Sequence, residues 1–280
     1  MQGWRKTMED SHIAIPNLIN GNSLFGVFDG HGGSEVAQYV RDNLPNIIKS
    51  SPLLKSKQWK ELFTNSFAMI DVDLPKEKAQ AELKAYYKKG QHDEFSQSSE
   101  VDIHKHVGCT ACAALISDTE IIVANAGDSR CVMGKKGTAV ELSADHKPDL
   151  DSEKKRIIDA GGYVEDNRVN GVLNLSRSIG DFEYKGNQAL KPDKQLVISL
   201  PDVDIQKISK ETDFIVIACD GIWECWESQK VVEFIYSKLS PTVKLSQIID
   251  ELFEKIISPD ANSSPLGCDN MSCIIIQFKK

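Results

Sequence analysis

The sequence contains no long apolar segment. A helix that crosses a membrane needs roughly 18 or more consecutive, mainly apolar residues, and no run in the 280 residues reaches that length. The first residues, from Met1 to Lys6, are polar and basic, whereas a secretory signal peptide has an apolar stretch near its start. We therefore expect neither a membrane span nor a signal peptide.

Positive charge is also scarce. The chain has 33 lysines and arginines against 41 aspartates and glutamates, which gives a formal net charge of −8. A nucleic-acid partner requires a basic surface that neutralises its phosphates. The charge balance therefore argues against nucleic-acid binding.

Cysteines are few, and their number is odd. The seven cysteines lie in apolar strand contexts, where Cys112, Cys131, Cys219 and Cys273 are expected as small core side chains. Cys109 and Cys112 have the C-x-x-C spacing, but a zinc or redox role needs a second pair or a helix N-terminus, and neither is apparent. Reduced thiols are typical of cytoplasmic and nuclear proteins, so we expect a cytoplasmic location, a nuclear location or both.

The pattern of apolar residues favours the α+β class. Many strand-like runs lie at hairpin spacing, with helices grouped between them, which indicates antiparallel sheets rather than a regular βαβ alternation. Ser34 is expected to cap the first helix. The predicted strands are 12–16, 24–29, 109–117, 120–126, 131–134, 138–142, 195–199, 213–219 and 271–278, and the predicted helices are 34–49, 58–72, 152–160, 228–239 and 244–257.

Residues 75–107 differ from the rest of the chain. The segment begins with a stretch that extends a polar helix and continues with a polar, serine-containing stretch. We predict a mobile surface excursion. Its histidines, His92, His104 and His106, are expected to be solvated loop residues, with a metal-binding tract as the alternative.

Asp29, Gly30 and His31 form the most informative motif. They follow the apolar run Leu24–Phe28, and a helical pattern begins at Ser34. A carboxylate at the tip of a buried strand suits a hard divalent cation, and Gly30 allows the backbone carbonyl to approach such an ion. His31 would then lie where it can move a proton near neutral pH. A plain Asp-Gly turn is the alternative.

Other acidic residues also stand at the ends of strand-like runs. Strands of this type bury their side chains and present their ends together at one rim of a sheet. Carboxylates gathered at one rim repel one another unless cations neutralise them. Taken singly, each is also explained as an ordinary turn residue. The residues concerned are Glu9, Asp10, Asp128, Asp220 and Asp269.

The motifs, taken in order, resemble those of the metal-dependent serine/threonine protein phosphatases, type 2C (PPM family). The resemblance covers nearly the whole chain and extends from Arg5 to Asn270, so we predict a single domain, residues 1–280. It implies a four-layer αββα sandwich of two antiparallel β-sheets flanked by helices, with 184–195 forming a flap. The motifs are Trp4–Asp10, Val27–Gly33, Gly108–Ala111, Gly127–Arg130, Asp145–Pro148, Ala160–Gly162, Leu175–Asp181, Ala218–Trp223 and Asp269–Ser272.

The resemblance also implies a reaction and its metals. Phosphoserine and phosphothreonine in proteins would be hydrolysed by a hydroxide that bridges two Mg²⁺ or Mn²⁺ ions. Two such ions, about 3.5–4 Å apart, would lower the pKa of the bridging water and neutralise the phosphoryl oxygens. Asp29 would bridge the ions, Asp220 and Asp269 would bind the first, and Glu9 with the Gly30 carbonyl would bind the second.

Further roles follow from the same resemblance. Arg5, expected to be the only nearby cation, would bind two phosphate oxygens through its planar guanidinium group. His31 would protonate the leaving oxygen, with a hydrogen bond to a ligand carboxylate as the alternative. Arg177 and Asp181 are expected to brace a loop. Asp128 is a candidate for a weaker third cation shared with Asp220, and the supporting residues are Asp10, Thr110 and Asn270.

Two departures from the family pattern leave other functions open. Glu224 stands where the family usually has Asp, and the sequence begins at Met1 without the strand that usually precedes this segment. A catalytically impaired pseudo-phosphatase that acts as a binding or scaffold domain is one alternative. A phosphoesterase acting on small molecules is another. The expected partners are phosphorylated proteins, and we expect a monomer.

Overall fold

The computed structural model describes residues 1–90, 103–261 and 266–279. Its strands, in chain order, are β1 (Ser11–Ile19), β2 (Asn22–Phe28), β3 (Gly30–His31), β4 (Gly108–Cys109), β5 (Ala111–Ile116), β6 (Glu120–Ala126), β7 (Arg130–Lys135), β8 (Thr138–Glu141), β9 (Val164–Glu165), β10 (Arg168–Val169), β11 (Ile179–Gly180), β12 (Asp202–Lys207), β13 (Thr212–Ala218) and β14 (Cys273–Gln277).

Helices connect and cover these strands. They are α1 (Glu35–Ser50), α2 (Pro52–Lys55), α3 (Trp59–Asp73), α4 (Glu77–Gly90), α5 (Ile103–His106), α6 (Asp151–Asp159), α7 (Asp220–Trp223), α8 (Ser228–Lys238) and α9 (Leu245–Ile256), with short 3-10 turns at Phe182–Tyr184 and Pro192–Lys194. None of the described helices combines the length and apolarity that crossing a membrane requires.

Two antiparallel sheets form the centre of the molecule. The first has the strand order β1-β2-β5-β6-β12 and the second the order β14-β13-β7-β8. Neighbours in sequence form hairpins in both sheets, for example β1 with β2 and β7 with β8. A small third sheet, β11-β4-β3, pairs His31 with Gly108 on one side and Gly180 with Gly108 on the other. This arrangement brings two distant loops together beside the Asp29 motif.

Side chains of each sheet alternate between two cores, as strand geometry requires. Phe25 and Val27 of β2 pack between the sheets against residues of the second sheet such as Ile215. Leu24 and Phe28, on the opposite face of β2, pack under helices α1, α3 and α4. The outer face of the second sheet packs against α8 and α9. The predicted four-layer αββα sandwich is confirmed.

Some local predictions were wrong. Residues 195–199 form no strand, only an isolated bridge between Ile198 and Arg177. Ser34 does precede α1, but its side chain makes no capping bond and accepts a hydrogen bond from Gln38 instead. The backbone of Ser34 is already helical, so its hydroxyl is not placed to accept from the first turn.

The segment predicted as a surface excursion is partly built into the core. Helix α4 buries Ala79 and Leu83, because one face of its otherwise polar sequence is apolar. His104 is buried and hydrogen-bonds to Gln80 at 2.7 Å, so the expectation of a solvated loop histidine was wrong there. His106 is exposed, and His92 lies outside the described residues.

Candidate functional site

A cavity of about 400 Å³ opens at one rim of the sandwich. Strands β2 and β13 end at this rim and β14 begins near it, so the residues that follow or precede them converge. The cavity brings together most of the predicted site residues, which come from six separate parts of the chain. Those lining it are Arg5, Glu9, Asp29, Gly30, His31, Thr110, Asp128, Asp220, Asp269 and Asn270.

Asp29 is fixed by its neighbour across the small sheet. Its backbone N–H donates to Thr110 Oγ1 at 3.2 Å, and the N–H of Thr110 donates to the Asp29 carbonyl at 2.9 Å. The Thr110 hydroxyl also bonds to Ser129 Oγ at 2.8 Å. Thr110 therefore supports the strand end that carries Asp29.

Gly30 is required for close backbone approach. A Cβ at this position would lie 2.4 Å from the carbonyl oxygen of Glu9, a distance that real side chains do not adopt. Only glycine allows the Glu9 and Asp29 segments to lie side by side. The Glu9 carboxylate accepts from Thr7 Oγ1 at 2.8 Å and from the Gly33 N–H at 3.2 Å.

Asn270 links the first residues of the chain to the site through hydrogen bonds. Its side-chain oxygen accepts from the Glu9 N–H at 2.8 Å, and its amide nitrogen donates to the carbonyls of Gln2 and Thr7 at 2.8 and 3.0 Å. The N–H of Met271 also donates to the Met1 carbonyl. Asn270 therefore aligns Arg5 and Glu9 with the Asp269 segment.

Two cavity carboxylates, those of Asp29 and Asp220, are largely shielded from solvent and lie close enough to other acids to disfavour their ionisation. Burial raises the pKa of Asp29 well above its usual value, and the charges of Asp220, Asp10 and Asp128 raise it further. Burial, together with Asp128 and Glu224, raises the pKa of Asp220 to about 8. Like charges held together in this way indicate a place for a compensating cation.

Asp10 stands behind the cavity rather than on its surface. Its carboxylate lies within 4.8 Å of ligand atoms of Asp29 and Cys219. Both of its oxygens are buried and lack a hydrogen bond of standard geometry to any described residue, and burial raises its pKa. Buried carboxylate oxygens without partners fit a hard cation or the water bound to one, so the donor set suits Mg²⁺ or Mn²⁺.

Arg5 pairs with Asp269 and not with its near neighbour Glu9. The distance from Nη2 to Oδ2 is 2.6 Å, and 61% of the Arg5 side chain is exposed. The hydrogen bond to Asp269 raises the pKa of Arg5, and the charges of Asp269, Asp220 and Asp29 raise it further. The guanidinium group is therefore at the mouth of the acidic cavity, with open space in front of it.

His31 hydrogen-bonds to Asp181, a residue predicted only to brace a loop. The distance from Nε2 to Asp181 Oδ2 is 2.7 Å. Although burial opposes it, the Asp181 charge and hydrogen bond raise the pKa of His31. His31 is therefore bonded through one ring nitrogen to a carboxylate that does not line the cavity.

The expectation that Arg5 is the only nearby cation was wrong. Lys6 lines the same cavity. The ammonium group of Lys147 forms an ion pair with the buried carboxylate of Asp128 and also interacts with Asp220 and Glu224. Asp128, the candidate for a weaker third cation, is thus already paired with a lysine.

Sequence reasoning also missed Thr7, Asn174 and Leu175, which line the cavity. No charge or spacing marks Asn174 in the sequence, whereas Leu175 begins the family motif Leu175–Asp181 but was not predicted as a site residue. Asp181 and Lys147 did carry a signal, since both belong to motifs of the family resemblance.

The sequence is similar to those of known proteins. The family model described as Protein phosphatase 2C matches residues 1–264. Protein phosphatase 2C homolog 2 of Schizosaccharomyces pombe is 44% identical, with 99% of this chain and 71% of that protein aligned. Probable protein phosphatase 2C 6 of Paramecium tetraurelia is 42% identical, with 100% and 90% aligned.

The fold has a match among solved structures. The crystal structure of a phosphatase from Toxoplasma gondii superimposes with a TM-score of 0.76, covering 99% of this chain and 90% of that one. The identity is 23%, so the likeness concerns the fold alone.

Proposed function

The chain belongs to the protein phosphatase 2C family, and from this premise we propose that it hydrolyses phosphoserine and phosphothreonine in proteins with the help of Mg²⁺ or Mn²⁺. The observation that carries the proposal is the acidic cavity, which places Asp29, Asp220 and Asp269 beside an arginine and a histidine. Its charges match what phosphate ester hydrolysis requires: a cation site, an anion-binding group and a proton donor.

The carboxylates would hold the metal ions. Asp29, Asp220 and Asp269 are the proposed ligands of one ion, and Asp29, Glu9 and the Gly30 carbonyl are those of another. When bound, such ions supply a strong nucleophile from water and neutralise the phosphoryl oxygens. Asp10 would hydrogen-bond to water at the site, because its oxygens lack a hydrogen bond of standard geometry to the described residues and lie close to Asp29.

Arg5 is the proposed phosphate-binding residue. Its planar guanidinium group matches two phosphate oxygens, and its exposure at the cavity mouth leaves it accessible to a substrate. Its present partner, Asp269, is itself a proposed metal ligand. Neutralising Asp269 with a metal would therefore release Arg5 for phosphate.

His31 is the proposed general acid. As the bond from phosphorus to the serine or threonine oxygen breaks, its electron pair stays on that oxygen, which takes a proton from the imidazolium. The reaction consumes one water and yields inorganic phosphate and a free hydroxyl group. His31 lines the same cavity as the proposed metal ligands Asp29 and Gly30, and an imidazole can donate a proton near neutral pH.

The test is phosphate release from a phosphothreonine peptide. We expect turnover with Mn²⁺ or Mg²⁺, its loss in EDTA, and its return when metal is added in excess. Turnover that persists in EDTA would contradict the metal requirement. No turnover at saturating metal, from protein that is folded by circular dichroism, would favour the pseudo-phosphatase alternative.

A further inference from the structure

The bond between His31 and Asp181 joins residues 150 positions apart, at 2.7 Å. The Asp181 side chain is 3% exposed, and that of His31 is 27% exposed. Asp181 follows strand β11, whose pairing with β4 brings it next to β3 and His31. Strand pairing in the small sheet therefore places the Asp181 carboxylate next to the His31 imidazole.

Hydrogen bonds and close packing hold the Asp181 carboxylate in place. Ser178 Oγ donates to the same oxygen that bonds His31, and the Asp181 N–H donates to the Val107 carbonyl at 3.2 Å. A Cβ at Gly108 would lie 2.3 Å from Asp181 Oδ2, so glycine is needed there to leave room for the carboxylate. The Asp181 side chain is therefore held in the position in which it contacts His31.

The loop around Asp181 has a separate brace. Asp71 on α3 accepts from the Gly180 N–H at 2.9 Å and from Lys185 Nζ at 2.6 Å, and Lys185 also donates to the Ser178 carbonyl at 2.8 Å. Asp71 and Lys185 are both largely buried. Because these bonds hold the loop without touching His31, the loop does not need the His31–Asp181 bond to keep its shape.

The contact also determines which ring nitrogen of His31 is available. With Nε2 held by Asp181, the nitrogen left to act in the cavity is Nδ1. A carboxylate that accepts from one imidazole nitrogen fixes both the tautomer and the orientation of the ring, so that the other nitrogen points consistently toward the reacting group.

We propose that Asp181 is a positioning residue for the reaction: it holds His31 through Nε2 so that Nδ1–H delivers the proton to the leaving serine or threonine oxygen. This inference rests on the proposed function. The proton moves from Nδ1 to the leaving oxygen as the phosphorus–oxygen bond breaks, and Asp181 keeps its charge throughout. His31 regains a proton from solvent before the next turnover.

The experiment compares two substrates in two matched variants. Asp181→Asn removes the charge and preserves shape, and asparagine tolerates the left-handed backbone found here, with φ of 54°. Asp71→Asn is the control, since Asp71 braces the same loop without contacting His31. Turnover is measured with Mn²⁺ on a phosphoserine peptide and on p-nitrophenyl phosphate, whose leaving oxygen scarcely needs a proton.

We expect Asp181→Asn to slow phosphoserine hydrolysis by at least about tenfold while changing p-nitrophenyl phosphate turnover by less than about threefold. His31→Gln should give the same selectivity. In the double variant, Asp181→Asn should lower phosphoserine turnover little below that of His31→Gln alone. Asp71→Asn should slow both substrates by similar factors. If Asp181→Asn does not fold, Ser178→Ala is used instead. It should also slow phosphoserine hydrolysis selectively, but by a smaller factor.

Equal losses on both substrates, or a full additional loss in the double variant, would overturn the positioning role and leave the phosphatase function standing. Wild-type protein that turns over neither substrate with metal would overturn both proposals. The two failures are thus distinguished by the wild-type measurement alone.

Discussion

Asp29 illustrates how the setting of a single carboxylate changes its chemistry. In an exposed turn it would be an ordinary ionised aspartate. At the end of β2 it is surrounded by Asp10, Asp128 and Asp220, and both burial and these charges raise its pKa. The site therefore stores electrostatic repulsion that a bound cation would relieve.

We predict that Asp29→Asn and Asp220→Asn each lower metal-dependent turnover by more than about a hundredfold, because each removes a charged ligand. Without metal, both variants should unfold at the same or a higher temperature than the wild type, since they remove a repelling charge. Phosphate release and thermal unfolding in EDTA measure the two effects. Asp118→Asn is the control, because Asp118 is an exposed turn residue at the far end of β5.

Arg5 should contribute mainly to substrate binding. We predict that Arg5→Ala raises KM for a phosphopeptide by about tenfold or more and lowers kcat less, since hydrogen bonds to charged groups contribute about 1.5–3 kcal/mol and phosphate is bound in both ground and transition states. Lys6→Ala, which removes the adjacent cavity cation, should raise KM less. An unchanged KM in Arg5→Ala would contradict the phosphate-binding role.

At the scale of elements, a buried ion-pair network holds helix α6 against the segment that leads to Asp181. Glu153 on α6 accepts from both Arg156 and Arg177. Arg156 also donates to the Ser176 carbonyl at 2.6 Å, and Arg177 donates to the Leu200 carbonyl at 3.1 Å. The expectation that Arg177 braces a loop agrees with these contacts.

This network makes stability depend on pH. Burial alone would raise the pKa of Glu153, but Arg177 and Arg156 outweigh it and lower the pKa from 4.5 to about 2. The carboxylate therefore contributes its full stabilisation above about pH 4.5 and loses it as pH falls toward 2. Glu153→Gln should lower the free energy of unfolding at pH 7 by about 3–5 kcal/mol, because it leaves two buried arginines short of a partner.

Urea unfolding at pH 7 and at pH 3 checks this prediction. The difference in the free energy of unfolding between Glu153→Gln and wild type should shrink at pH 3. At that pH, protonation of the wild-type carboxylate in the unfolded chain has removed part of its contribution to stability. Glu165→Gln, an exposed glutamate on β9, is the control and should behave like wild type at both values. A difference that stays constant between the two pH values would contradict the linkage.

At the scale of the whole molecule, the proposed ligands join the two ends of the chain. Glu9 lies near the start, Asp269 near the end, and Asn270 already bonds the two segments. Two metal ions, one bound by Asp269 and the other by Glu9 and both bound by Asp29, would add to this connection in the folded state only. We therefore predict that Mn²⁺ raises the unfolding temperature by several degrees, corresponding to about 2.7 kcal/mol at a hundredfold excess over Kd.

Differential scanning calorimetry with and without Mn²⁺ measures this shift. The rise should be absent or much smaller in Asp29→Asn, whereas Asp118→Asn should retain it. A rise of equal size in Asp29→Asn would place the stabilising ion elsewhere on the protein. The prediction of a single domain would gain support if the calorimetric transition were one cooperative step.

The sequence by itself determined most of the longer elements and the strand ends that carry acids. Alternation in β2, β5 and β13 specifies which side chains face each core, because successive residues of a strand point to opposite faces. The predicted α6 and α8 agree with the structure to within a residue at each end. The carboxylates of the cavity were also predictable, since each directly follows or precedes such a run.

Only the tertiary structure decided the partners of the charged side chains. Arg5 pairs with Asp269, Lys147 with Asp128 and Asp181 with His31. Each contact joins segments from 19 to 264 residues apart. Local patterns encode the type of an element and its buried face, but not which distant loop packs beside it. The partner of a buried charge is set by how the sheets and loops pack, and so it became visible only in the folded chain.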